Sequence, residues 1–175
     1  MSDIEFYMGR FPYSRAKVAK HRHLQFHIEA FLQEIYILQL RLLRFATFIE
    51  RKHKKDPRHT QMGAARPVLE DYVVQALKKI VDLRGSHVHQ WRLSDNQIDR
   101  LTGISLYTRM PARKIQKAFT AYYESEYRKI RKQWREWVAR GIEGSQKVVD
   151  SYFDEAFKLI FDDKGKLVYP ANLKF

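Results

Sequence analysis

Between residues 24 and 49, apolar side chains recur at alternating steps of four and three: Leu24, Ile28, Phe31, Ile35, Leu38, Leu42, Phe45 and Ile49. That spacing returns to one face of an α-helix every two turns. It predicts a helix from about Lys17 to Lys54, packed as in a bundle or coiled coil. Leu32, Tyr36, Leu40 and Leu43 widen the stripe, so the helix meets neighbours on more than one side. The polar, basic stretch from Lys54 to Gly63, with Pro57 inside it, predicts a connection between antiparallel helices or a mobile basic loop.

Pro67 suits the first turn of a second helix, with Glu70 and Asp71 near its positive N-terminal end. Leu69, Val73, Leu77 and Ile80 mark its buried face, and Gly85 is expected to end or loosen it. Ser94 to Gln97 predicts a cap for a short helix through Leu101, closed by Gly103. A third long helix is predicted from Pro111 to Arg140, with Ile115, Phe119, Tyr123, Tyr127, Ile130, Trp134 and Trp137 on one face. Gly141 and Gly144 are expected to interrupt it before a last helix from Ser145 to Phe161. Asp162 to Gly165 reads as a turn leading to an extended tail. The fold expected is all-α, an antiparallel bundle of four or five helices, forming a single domain over residues 1–175.

Charge changes this picture. Lys and Arg number 33 against 20 Asp and Glu, for a net charge of +13. Such an excess attracts polyanions, nucleic acid first. There is no cysteine, which excludes disulfides and thiolate catalysis. The N-terminal residues carry no secretion-signal pattern, and no apolar run reaches the roughly 20 residues needed to span a bilayer. A soluble, cytoplasmic protein without a membrane partner is expected.

The candidate chemistry lies in Val81-Asp82-Leu83-Arg84-Gly85-Ser86-His87-Val88-His89-Gln90-Trp91. Arg84 is a permanent cation, and His89 can exchange protons near neutral pH. Spacing alone carries little, since Arg15 with His21 and Arg22 with His27 repeat it within the first helix. Position separates them: Arg84 and His89 stand at a helix end, beside a glycine, with an aromatic two residues after the histidine. Here the chain resembles the HEPN superfamily, whose signature is Arg, four to six residues, then His, in a helical bundle. The resemblance rests on Arg84, Val88, His89 and Trp91 together with the helical layout.

It implies metal-independent RNA cleavage, of a toxin or defence type, through attack of the ribose 2′-OH on the adjacent phosphate. His89 would serve as general acid or base and Arg84 would hold the phosphate oxygens. It also implies a homodimer with two motifs facing one cleft, and an antitoxin as a further partner. Two positions depart from the pattern. Gly85 stands where the family commonly has a polar residue, a role left to Ser86 or His87. Trp91 stands where some members have a modifiable tyrosine. The alternative is a non-catalytic module binding RNA or a protein.

A second candidate surface is basic. Arg128, Lys129, Arg131, Lys132 and Arg135, continued by Arg140, interleave with Tyr127, Trp134 and Trp137. The aromatics share one stripe and are expected in the core, leaving the basic face to meet RNA phosphates. His23 and His27, at i and i+4, share a helix face, but no second ligand pair accompanies them, so no metal site is expected. No cofactor-binding motif is present.

Overall fold

A computed structural model of the protein describes residues 2–10, 18–55, 58–88, 95–162 and 164–168. Among the described residues five helices follow in order: α1 (Ser2–Gly9), α2 (Lys20–Lys52), α3 (His59–Val88), α4 (Asn96–Tyr107) and α5 (Arg113–Ile160). Among the described residues β-structure is confined to an isolated antiparallel bridge between Phe161 and Leu167. The fold is all-α. The chain divides into two compact units, residues 1–34 with 82–142 and residues 35–81 with 143–175. Helices α2, α3 and α5 contribute to both.

In the first unit α2 and α5 run parallel. Lys20 Nζ reaches both carboxylate oxygens of Glu124 at 2.7 Å, and further along Phe31 meets Trp137 edge-on at 5.5 Å. Leu24, Ile28 and Phe31 of α2 are buried with Tyr123, Tyr127, Ile130 and Val138 of α5. Helix α4 lies antiparallel to α5, its Arg100 and Gln97 paired with Glu126 and Gln133 in reverse order. The Asp95 carboxylate caps α4 by accepting the Gln97 and Ile98 N–H groups at 3.0 Å, a side-chain answer to the open donors of a first turn. Ile98, Leu101 and Ile104 form its buried face. Helix α1, which periodicity did not reveal, is anchored by buried Met8 and by Glu5 on Arg135 at 3.1 Å.

In the second unit α2 and α3 are antiparallel. Glu50 receives Arg66 at 2.6 Å, and Thr47 lies against Glu70. The core holds Ile35, Leu42, Ala46 and Ile49 with Met62, Leu69, Val73, Leu77, Tyr152 and Ala156. Fully buried Tyr152 donates its hydroxyl proton to the Leu42 carbonyl at 2.8 Å. Burial pushes this phenol up to about 12. Beyond α5, the Asp162 carboxylate accepts the Lys164 and Lys166 N–H groups, and Gly165 takes φ +69°. The predicted turn is present there.

Several expected boundaries move. Gly141 and Gly144 do not interrupt α5, which is 48 residues long. The buried stripe simply continues through Val138, Ser145, Val148 and Tyr152, so packing outweighs the cost of about 1 kcal/mol per helical glycine. Gly141 lies on that stripe for a reason: a Cβ there would stand 2.6 Å from Phe31 Cζ. Pro67 is interior to α3 and not in its first turn, because buried Met62, seven residues before Leu69, draws the preceding turns into the helix. Gly85 does not end α3, nor Gly103 α4. Ile115 is 46% exposed, off the core where periodicity put it.

The two glycines should respond oppositely to alanine. Gly144→Ala, with nothing within 4 Å of the new methyl, should stabilise by about 0.5–1 kcal/mol. Gly141→Ala should destabilise by about 1–3 kcal/mol through overpacking against Phe31. Denaturant titration of both variants checks the signs. Tyr152 is neutral in the fold and its proton is held more tightly than in the open chain. Its stabilising contribution is therefore full below pH about 10 and lost as pH rises towards 12. Tyr152→Phe should be less stable at neutral pH by about 1 kcal/mol, yet lose less on the alkaline side in pH-dependent unfolding.

Candidate nucleic-acid interface

Arg84 sits in the last turns of α3, half-buried, where its Nε donates to Gln33 Oε1 of α2 at 2.8 Å. This contact orients the guanidinium on the surface of the first unit. Helix α3 carries the backbone of Ser86 and His87 through to Val88. His89 and Trp91 lie outside the described residues, as do the side chains of Ser86 and His87. A Cβ at Gly85 would meet nothing within 4 Å, so a polar residue would fit there without rearrangement.

Most cations of the basic segment of α5 have a partner within the protein. Lys129 pairs with Glu126 at 3.0 Å, Lys132 approaches Glu136 at 3.9 Å, and Arg135 pairs with Glu5 at 3.1 Å. Arg131 stands 5.6 Å from the Tyr127 ring centre, a cation–π contact. Glu126 is buried, and Arg100 and Lys129 both bond to its carboxylate. A buried carboxylate requires such partners. Of the five residues, Arg128 alone has no ion pair or ring contact among the described residues. The aromatics there divide as well. Tyr127 is buried, while Trp134 and Trp137 are half-buried and line a shallow pocket of about 250 Å³ with Gln97, Gln133 and Arg140.

The surface that meets the requirements for binding a polyanion lies elsewhere, at the end of α4 and the start of α5. From Leu101 to Tyr123 the chain has no carboxylate and four cations: Arg109, Arg113, Lys114 and Lys117. All four are exposed, and none is in an ion pair among the described residues. Exposed Met110 and Ile115 stand between them, and Leu106 and Tyr122, 66% and 48% accessible, flank them. Tyr107 stacks on Phe119, ring centres 4.8 Å apart and planes 20° from parallel. This pins the α4–α5 hairpin and presents a flat ring face. The first turn of α5 has no acidic residue, so Arg113 and Lys114 crowd the positive end of the longest helix. That arrangement is unfavourable by itself and is relieved by an anion.

The base of this hairpin is fixed to α2. The His21 N–H donates to Tyr123 Oη at 3.2 Å, and His21 Nδ1 lies 3.1 Å from the same oxygen. The hydroxyl accepts from the backbone N–H and shares a second hydrogen bond with Nδ1, whose direction follows the imidazole tautomer. Burial pushes the Tyr123 phenol up to about 12, so it keeps its proton throughout the neutral range.

Sequence reading passed over this hairpin because Ile115 and Phe119 continue the core periodicity of α5. The signal available was the absence of acidic residues over the same stretch. No protein family matches the chain, nor does any curated protein or solved structure. Among the described residues no helix is long and apolar enough to cross a membrane.

The electrostatic cost can be read directly. Lys114→Glu should stabilise the fold by about 0.3–1 kcal/mol by reversing charge at a helix N-terminus. The gain should shrink in high salt. Thermal melting at two ionic strengths measures both.

Proposed function

We propose that the protein binds RNA in single-stranded form through the α4–α5 hairpin. The observation carrying this reading is the carboxylate-free stretch whose four exposed cations, in no ion pair among the described residues, are flanked by the exposed rings of Tyr107 and Tyr122. Cations follow the phosphates, while Tyr107 and Tyr122 offer faces on which unpaired bases stack. Single strands are favoured over duplex because stacking on a ring needs a splayed base. Arg128 extends the basic face along α5. Lys129, Arg131, Lys132 and Arg135 support the fold through their partners and contribute less.

RNA binding should weaken steeply with salt, log K falling by about 0.7 per log unit of salt for each phosphate engaged on a single strand. Arg113→Glu with Lys117→Glu should lower affinity for a short single-stranded RNA at least about tenfold, with helicity unchanged. Replacing Lys129 and Lys132 should cost less. Equal losses from both pairs in a fluorescence-anisotropy titration would remove the hairpin from this role.

A second reading adds cleavage, and the anchored guanidinium of Arg84 favours it. In this reading Arg84 and His89 form a HEPN-like site, with Ser86 or His87 supplying the polar function absent at Gly85. Two copies would combine their motifs, and an antitoxin would restrain them. His89 takes the proton of the 2′-OH or returns one to the leaving 5′-oxygen, and the products are a cyclic phosphate and a 5′-OH. Total RNA incubated with EDTA should then be cut by the wild type and spared by His89→Ala. Uncut RNA with wild-type protein would leave binding as the whole function.

A further inference from the structure

We propose that His23 and His27 chelate one divalent transition-metal ion of the imidazole-preferring kind: Cu²⁺, Ni²⁺ or Zn²⁺. The two residues are one turn apart on α2, and their Nε2 atoms lie 3.1 Å from each other. Two imidazole nitrogens bound at about 2.0–2.1 Å stand about 2.9 Å apart for a right angle at the metal and about 3.3 Å for a tetrahedral one. The observed separation falls between these values, so neither ring has to move far. The ring planes are 72° apart with centres 4.4 Å from each other, an edge-on arrangement that brings the two Nε2 atoms together without stacking the rings.

The surroundings hold this geometry. The Tyr7 ring of α1 stacks on His27 at 5.9 Å with planes 10° apart, and Phe26 meets the same ring edge-on at 5.4 Å. His23 and His27 are both half-exposed, so an ion can enter and water can complete its coordination. Burial lowers both imidazoles from their ordinary value, and for His27 the charge of His23 adds to this. Neutral rings with available lone pairs are the form a metal requires. Without metal, the same separation suits an N–H···N bond, with one ring protonated at Nε2. Binding requires that proton to leave Nε2, to Nδ1 of the same ring or to solvent, which frees the second lone pair.

The distance also argues against a different use. Two histidines acting as acid and base on one phosphodiester must flank the phosphorus, one at the attacking oxygen and one at the leaving oxygen. Rings whose nitrogens touch cannot do so. Among the described residues no cluster of three or more His, Asp or Glu surrounds the pair. The protein thus supplies two ligands and solvent the rest, and the order of affinity should follow Cu²⁺ above Ni²⁺ and Zn²⁺. Mg²⁺, which prefers oxygen ligands, should have no effect.

The test is calorimetric titration and thermal melting of the full chain with each ion. Cu²⁺ and Ni²⁺ should bind with one-to-one stoichiometry and raise the melting temperature, EDTA should reverse this, and Mg²⁺ should do nothing. His23→Gln and His27→Gln should each weaken binding about tenfold or more, no less than loss of an outer partner costs a metal site. Circular dichroism without metal verifies that each variant is folded, and Tyr7→Phe, which keeps the stacked ring, should bind as the wild type does. No metal-dependent shift in the wild type, or one that persists with both histidines replaced, would overturn the proposal.

Discussion

The seat of Phe31 against the bare backbone of Gly141 is the constraint on which the first unit depends. Phe31 is fully buried, and a methyl group at position 141 would overlap its ring. Glycine at this point lets α2 and α5 come close enough for Trp137 to meet the same ring edge-on. Close-packed interiors forfeit much of their contact energy over gaps below an ångström. The contact thus sets the spacing for Leu24, Ile28, Tyr127, Ile130 and Val138. It also explains why a residue of poor helix propensity sits inside a 48-residue helix. The conformational cost of glycine there is offset by the packing that it permits.

Charge is distributed along α5 in two regimes. In its middle, carboxylates and cations pair: Glu126 draws Arg100 and Lys129, Glu124 draws Lys20, and Glu5 draws Arg135, while Arg128 stays outside these pairs. These pairs join α1, α2 and α4 to α5, so the basic residues there act mainly inside the unit. At the N-terminal end of α5 the matching stops, and Arg113, Lys114 and Lys117 face solvent beside exposed rings. A folded protein gains nothing from unmatched like charge at the positive end of a helix. The arrangement becomes favourable once a polyanion supplies the missing charge, which is why RNA binding is proposed there.

Much of the architecture was legible as periodicity. The four-three stripe of α2 located the core residues Leu24, Ile28, Phe31, Ile35, Leu42 and Ile49, while Leu38 and Phe45 on the same stripe are half-buried. The Asp95 cap and the Asp162 turn were readable because a short side chain answers nearby backbone donors. Glycine and proline misled. Gly85, Gly103, Gly141 and Gly144 were read as breaks and Pro67 as a start, yet all five lie within helices. Local propensity is worth about 1 kcal/mol at a glycine and about 3 at a proline, less than a stripe of buried side chains contributes.

For the candidate sites the division is sharper. Sequence by itself determined the helical class, the net positive charge, the Arg84–His89 motif and the placement of His23 and His27 on one helix face. Tertiary structure alone decided which cations remain available. Lys132 and Arg135 belong to one basic run, but Arg135 reaches across to the Glu5 carboxylate of α1 while Lys132 has only Glu136 of its own helix. It also decided that Ile115 and Tyr122 face solvent though they lie on or beside the helical core stripe. Periodicity tells which residues share a face of one helix; whether that face is covered depends on where the neighbouring helices end. Helix α4 stops at Tyr107, stacked on Phe119. Beyond that contact the first turns of α5 stand exposed, with Arg113, Lys114, Ile115 and Lys117 open to solvent.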